Sequence, residues 1–115
     1  MTNVIVTGVT GKSGRFFYEE LRSNAKALSD YAFYFIVRDR QKAEKLLTAE
    51  GLNQTICVGS VADTEWVSSV FESIIGGGTI TLLHIAGIML SEKLVEVAVR
   101  HNVNRLILVH TTGIY

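Results

Sequence analysis

The chain has no proline, a single cysteine and no excess of either charge, with 11 lysines and arginines against 11 aspartates and glutamates in 115 residues. Each shortage excludes something. One thiol, Cys57, cannot close an internal disulfide, which separates the chain from small secreted scaffolds held by cross-links. Zero net charge leaves no global field to draw the molecule onto nucleic acid or an anionic membrane, so any anion site must be built locally. No apolar run approaches the ~18 residues of a membrane span. Met1-Thr2-Asn3 leads straight into a strand pattern, without the basic and apolar regions of a signal peptide. A soluble cytoplasmic protein is expected, with neither nucleic acid nor membrane among its partners. Cys57, between Ile56 and Val58, reads as a buried structural thiol.

What is present is apolar residue, at 48%, in a length that forms one domain and buries roughly two-thirds of its unfolded surface. Short β-rich runs alternate with longer runs of helical period, the signature of βαβ units. Strands are expected at Asn3 to Thr7, Ala32 to Val37, Gln54 to Val58, Thr79 to Ile85 and Arg105 to His110. Most are continuously apolar, as strands covered on both faces should be. The first helix, beginning near Arg15, carries Phe17, Leu21 and Ala25 inward; the second carries Ala43, Leu46 and Leu47. In the third, Asp63 is the N-cap and Trp66, Val67, Val70, Phe71 and Ile74 form the stripe before Gly76-Gly77-Gly78. The fourth runs from Ser91 through Leu94, Val95 and Ala98 to His101. Right-handed crossovers then predict an α/β Rossmann-type three-layer sandwich, residues 1–115, with a five-stranded parallel sheet of order 3-2-1-4-5 and helices on both faces. Its ligand edge is the one where the strands end.

Between the first strand and first helix lies Gly8-Val9-Thr10-Gly11-Lys12-Ser13-Gly14, a GxxGxxG pattern. Gly8 permits the turn out of the strand, Gly11 lets backbone approach a pyrophosphate, and Gly14 allows close helix packing. Free amides at the helix start then face the anion. Gly11-Lys12-Ser13 invites a P-loop reading, but GxxxxGK[ST] requires a glycine where Val6 stands. A dinucleotide is therefore the expected ligand, with Thr10, Lys12 and Ser13 as phosphate neighbours.

The second strand ends in Arg38, where an acidic residue would accept the ribose hydroxyls of NAD. A guanidinium pairs with a 2′-phosphate that a carboxylate would repel. NADP(H) is favoured, and Asp39 keeps NAD(H) open. Lys12 and Arg15 are within reach of the same anion, while Arg40 and Lys42 read as a solvated helix start.

With TGVTGKSG at the first turn and FIVRDRQKAEKL after the second strand, the chain resembles the atypical and extended short-chain dehydrogenase/reductases. The likeness is to the NmrA-like and NAD(P)-dependent epimerase/dehydratase branches, N-terminal portion only. Leu83-His84-Ile85-Ala86-Gly87 is similar to the family's HxAG segment, and Arg105 to Tyr115 to its fifth strand and SSxxVY turn. The resemblance implies that Gly8, Gly11 and Gly14 bind pyrophosphate, Arg38 the adenosine phosphate, and Ala86 and Gly87 the nicotinamide ribose. It places Thr111 where active members hold and polarise a substrate carbonyl, with a strand-capping hydroxyl as the other reading. His84 reads as a core histidine, and His110 stands at a family serine position. Ser60 replaces the first aspartate of the family's GDxxD, which leaves adenine recognition to Ser60 and the backbone near Val61.

The chain carries no YxxxK, the tyrosine–lysine pair that active members place farther downstream; Tyr115 matches the turn tyrosine instead. The implied function is the NADP(H)-binding domain of an oxidoreductase or epimerase acting on a small carbonyl or alcohol. The alternative is a non-catalytic NmrA-like NADP-sensing module, and a third reading is a truncated domain that keeps only the fold. Ending at a fifth strand would leave an unpaired sheet edge with its nearby apolar faces uncovered, where self-association, or covering by another segment, is expected.

Overall fold

The structure, a computed structural model, describes residues 2–74, 79–85, 91–101 and 103–109. Along the chain run β1 (Thr2–Thr7), α1 (Lys12–Ser23), β2 (Tyr31–Val37), α2 (Arg40–Leu46), β3 (Gln54–Val58), α3 (Thr64–Ser73), β4 (Thr79–Ile85), α4 (Ser91–Arg100) and β5 (Arg105–Val109). A 3-10 turn at Ala25–Leu28 follows α1. The strands form one five-stranded sheet of order β3-β2-β1-β4-β5, every neighbouring pair parallel, as the alternating pattern predicts. Succession runs outward from β1 to β3 and then resumes beside β1 at β4, so the switch point lies at the carboxyl ends of β1 and β4.

The two-residue period of the strands divides the core between two faces. Val4 and Val6 of β1 and Phe33, Phe35 and Val37 of β2 meet Tyr18 and Leu21 of α1 and Ala43 of α2. On the other face Ile5, Ile36 and Leu82 meet Val67, Val70 and Phe71 of α3 and Leu94, Val97 and Ala98 of α4. Three layers result. Phe35 is fully buried, stacked 5.9 Å from Phe33 and edge-on 5.6 Å from Tyr18. The buried Tyr18 keeps its polar end satisfied, since its hydroxyl donates to Gln54 Oε1 at 2.8 Å and accepts the Ala49 amide at 3.0 Å.

Several boundaries differ from expectation. α1 starts at Lys12 rather than near Arg15, because Gly11 is its extended N-cap and the Arg15 amide already bonds the Gly11 carbonyl at 2.9 Å. Its buried stripe is Gly14, Tyr18 and Leu21, with Phe17 half-buried, and Ala25 belongs to the 3-10 turn. β1 and β2 each begin one residue early, at Thr2 and Tyr31, and Leu47 is the C-cap of α2. In α4 the inward residues are Leu94, Val97 and Ala98, while Val95 is half-buried. Asp63 caps α3 as expected, accepting the Trp66 amide at 3.1 Å. Gly76 to Gly78 and His110 lie outside the described residues.

One departure concerns the sheet edges. Cys57 is half-buried rather than buried, because among the described residues β3 has a neighbour on one side only; partial burial pushes its thiol pKa up. At the other edge β5 is exposed throughout, with Leu106, Ile107, Leu108 and Val109 each 37–40% accessible, as a fifth strand left at the edge should be. No helix among the described residues is long and apolar enough to cross a membrane.

Replacing Phe35 by alanine removes the ring that joins Phe33 to Tyr18. The expected cost is about 3–5 kcal/mol by denaturant unfolding, and a loss under about 1 kcal/mol would show that the aromatic stack does not hold this face together.

Candidate functional site

The crevice is built around the loop that leaves β1. Gly8 has φ +77°, in the left-handed region, and a Cβ there would lie 1.5 Å from the Ile85 carbonyl oxygen at the end of β4. Backbone thus passes over backbone at a distance no side chain tolerates. At Gly14, a Cβ would lie 2.1 Å from the Gly8 carbonyl oxygen and 2.6 Å from Val9 Cα, so the first turn of α1 rests on the loop itself rather than on the sheet. Gly11 is different in kind: a Cβ there would meet only the Gly8 carbonyl, at 3.4 Å, and otherwise open space. The Gly11 amide closes the turn on the Gly8 carbonyl at 3.1 Å.

The amides of Lys12, Ser13 and Gly14 precede the first intrahelical bond of α1, and no side chain caps this end. They supply donors and the positive end of the helix dipole, the requirements of a phosphate cradle. Lys12 and Ser13 are exposed on that turn and Thr10 is half-buried beside it.

Below the loop, Thr7 and His84 are register partners on β1 and β4, both fully buried, with Thr7 Oγ1 2.5 Å from His84 Nδ1. His84 is a core histidine that ties the two strand ends together where the loop crosses them.

The other bank of the crevice is the β3–α3 loop. Gly59 ends β3 with its amide bonded to the Val37 carbonyl at 2.8 Å, and a Cβ on it would lie 2.5 Å from the Trp66 ring. Ser60 is exposed; its hydroxyl accepts the Ala62 amide at 3.2 Å and its carbonyl accepts the Asp63 amide at 3.1 Å. Val61 is half-buried on the α3–α4 core. The fit of Trp66 over Gly59, which fixes where Ser60 and Val61 stand, was not foreseen; a glycine ending β3 as Gly8 ends β1 is its sequence signal.

A groove of about 640 Å³ runs from Val9, Thr10 and Gly11 down between α1 and α2, over Tyr18, Leu46 and Leu47. Lys12, Arg15 and Lys42 line it, so Lys42 is not simply part of a solvated helix start. Arg38 and Arg40 are exposed and do not line it, and Arg40 lies 3.9 Å from Glu44 along its own helix. Asp39 caps α2, accepting the Lys42 amide at 3.1 Å, which commits one carboxylate oxygen to the helix. Among the described residues no cluster of histidine, cysteine and acids could hold a metal. Ala86, Gly87 and Thr111 lie outside the described residues.

No protein-family model and no curated protein matches the chain. Solved structures do. A short-chain dehydrogenase/reductase from Saccharomyces cerevisiae superposes with a TM-score of 0.73 at 20% identity, over 100% of this chain and 56% of its own. A Bacillus halodurans protein assigned to the NAD-dependent epimerase/dehydratases gives 0.68 at 21%, over 96% and 52%. Yeast methylglyoxal/isovaleraldehyde reductase in complex with NADPH gives 0.67 at 18%, over 92% and 36%. The chain thus spans about half the length, or less, of these proteins, and its fold is that of the portion it superposes on.

Gly8 and Gly51 share φ +77°, but a Cβ on Gly51 meets nothing within 4 Å. Gly51→Ala should therefore cost only the backbone strain, about 1–2 kcal/mol, while Gly8→Ala adds the collision with Ile85 and should cost several kcal/mol. Equal losses in thermal or denaturant unfolding would show that the loop does not press on β4.

Proposed function

We propose that the chain is the NADP(H)-binding domain, residues 1–115, of an oxidoreductase or epimerase of the short-chain dehydrogenase/reductase type. The observation that carries this reading is the collapsed glycine loop. Gly8 presses on Ile85, Gly14 rests on Gly8, and the amides that open α1 are left at the switch point of a parallel sheet. Residues Gly8, Thr10, Gly11, Lys12, Ser13 and Gly14 would hold the pyrophosphate. Arg38 would meet the adenosine 2′-phosphate from the end of β2, and Ser60 and Val61 would flank the adenine. Ala86 and Gly87 keep the ribose role, and Thr111 the substrate-carbonyl role, that the resemblance gives them.

Gly8 and Gly14 let the loop lie flat on backbone, and at Gly11, where a Cβ would enter open space, the missing side chain leaves room for a bulky diphosphate against the loop. The bound nicotinamide would supply hydride transfer; the protein supplies position and charge. The phosphorylated cofactor bound to the yeast reductase agrees with NADP(H), as does the capping bond that occupies Asp39. The 115 residues hold no YxxxK pair, so cofactor binding is the part of the reading their own side chains support, and a small carbonyl or alcohol is the substrate class proposed for the whole protein.

Titration with NADPH and NADH, followed by fluorescence, tests the assignment. NADPH should bind more tightly. Gly11→Asp should abolish binding of both, because it sets a carboxylate among the phosphate donors, and Arg38→Ala should narrow the gap between them. A preference for NADH that survives Arg38→Ala removes the basis for NADP(H).

Self-association at β5 belongs to the same reading. A short apolar strand with no partner on its outer edge among the described residues offers a row of backbone donors and acceptors to a second copy. Sedimentation should show concentration-dependent dimers that Ile107→Lys disperses; a monomer at high concentration would contradict it.

A further inference from the structure

We infer that Trp66 is the positioning residue of the adenine bank: its indole, laid on Gly59, holds the β3–α3 loop against the end of β2 and so sets where Ser60 and Val61 meet the base. The inference deepens the dinucleotide reading above and rests on it.

Glycine at position 59 answers to the ring and not to the backbone. Gly8 and Gly51 are the described glycines with positive φ, so no left-handed conformation demands a glycine here. The Gly59 amide bonds the Val37 carbonyl at 2.8 Å, one more rung between β2 and β3, which any residue except proline could supply. What excludes a side chain is the indole. A Cβ on Gly59 would lie 2.5 Å from Cε2 and Cζ2 of Trp66 and 2.6 Å from its Cδ2, closer than any real Cβ contact.

Ser60, Val61 and Ala62 form an arch closed from within, since the Ser60 carbonyl accepts the Asp63 amide at 3.1 Å and its hydroxyl the Ala62 amide at 3.2 Å. These bonds fix the shape of the arch but not its place. Its place comes from its two feet. One is Gly59, tied to β2 at Val37, the residue before Arg38; the other is Asp63, whose carboxylate accepts the Trp66 amide at 3.1 Å. Trp66 thus meets both feet, one through its ring and one through its amide, while it packs on the α3–α4 core. Val61 packs on the same core, whereas Ser60 is exposed and follows wherever Gly59 goes. Without the indole, the Gly59 foot can shift and Ser60 shifts with it. A base binds more tightly to a wall already in place, because a loop ordered only on binding subtracts its ordering cost from the affinity.

In calorimetric titrations, 5′-AMP probes this bank, and inorganic pyrophosphate probes the glycine loop without it. Trp66→Leu should weaken 5′-AMP about ten-fold and pyrophosphate by less than about two-fold, and Trp66→Phe, which keeps a flat ring, should recover most of the loss. Gly59→Ala should cost 5′-AMP about ten-fold in the wild type but less than about three-fold in the Trp66→Leu background, where the added Cβ meets no indole. Thermal unfolding of each variant separates loss of position from loss of fold. One arm needs no variant: Trp66 is the single tryptophan of the sequence, so 5′-AMP should shield the protein's indole emission from acrylamide quenching and pyrophosphate should not. The inference is overturned if Gly59→Ala costs the same in both backgrounds, if Trp66→Leu weakens both ligands equally, or if 5′-AMP leaves the quenching unchanged. In those cases binding of NADPH or NADH by the wild type leaves the dinucleotide reading standing. Wild-type protein that binds neither dinucleotide overturns both.

Discussion

The contact between Gly8 and the carbonyl of Ile85 is the constraint on which the rest of the crevice depends. β1 and β4 lie side by side in parallel, and the chain leaving β1 must cross the end of β4 before it can turn into a helix. It does so at a separation that excludes even a methyl group, with φ +77° at the crossing. Because the loop is so flat, the first turn of α1 can settle back on Gly8 and Val9 through Gly14. The opening amides of the helix therefore sit at the strand ends rather than out in solvent, and α1 stands close enough to α2 to form a groove. Any side chain at Gly8 would lift the loop and undo each of these placements together.

Beneath that crossing, the Thr7–His84 pair does for the floor what the glycines do for the roof. Both residues are fully buried among apolar neighbours, where an unmet donor or acceptor costs about 1–3 kcal/mol. Their mutual bond is thus a requirement of the register that sets Thr7 opposite His84. The opposite bank is fixed by a parallel device: Gly59 admits the Trp66 ring while Asp63 caps the helix that carries it. Two strand-ending glycines, each covered by a group that would collide with a Cβ, define the two banks.

Topology was legible because it depends on patterns that persist over many residues. Alternating β-rich and helical runs, with a glycine loop after the first strand, leave few arrangements once crossovers are right-handed. The rotation of individual helices was less legible. Phe17, Leu21 and Ala25 have helical spacing, yet the chain tightens into a 3-10 turn at Ala25, and the buried stripe follows Gly14, Tyr18 and Leu21 instead. Tyr18 looks polar in sequence; its burial depends on Gln54 and Ala49, which lie far along the chain and satisfy its hydroxyl. Cys57 was misjudged for a related reason, since an apolar run predicts what a strand would bury if neighbours covered it on both sides. The exposure of β5 at the other edge, by contrast, follows from the predicted strand order. At the site, the glycine spacing was readable since backbone proximity is recorded directly in residue type. The place of Lys42 in the groove lining was not, since it depends on which way a seven-residue helix is turned.

That turning also decides which charges line the groove of a chain whose charges balance. Acids and bases are equal in number, so the local balance depends on where nearby carboxylates are held. Here helical neighbours hold them: Glu19 lies beside Arg22, Glu44 beside Arg40, and Asp39 is fixed by the Lys42 amide. Exposed pairs of this kind contribute little to stability, typically under about 1 kcal/mol. Their consequence is directional: Glu19 lines the groove with Lys12, Arg15 and Lys42 but lies beside Arg22 of its own helix, while Glu44 and Arg40 pair off it. Local i to i+3 and i to i+4 contacts therefore bear on which charges stand beside the glycine loop, in a sequence with no excess of basic residues.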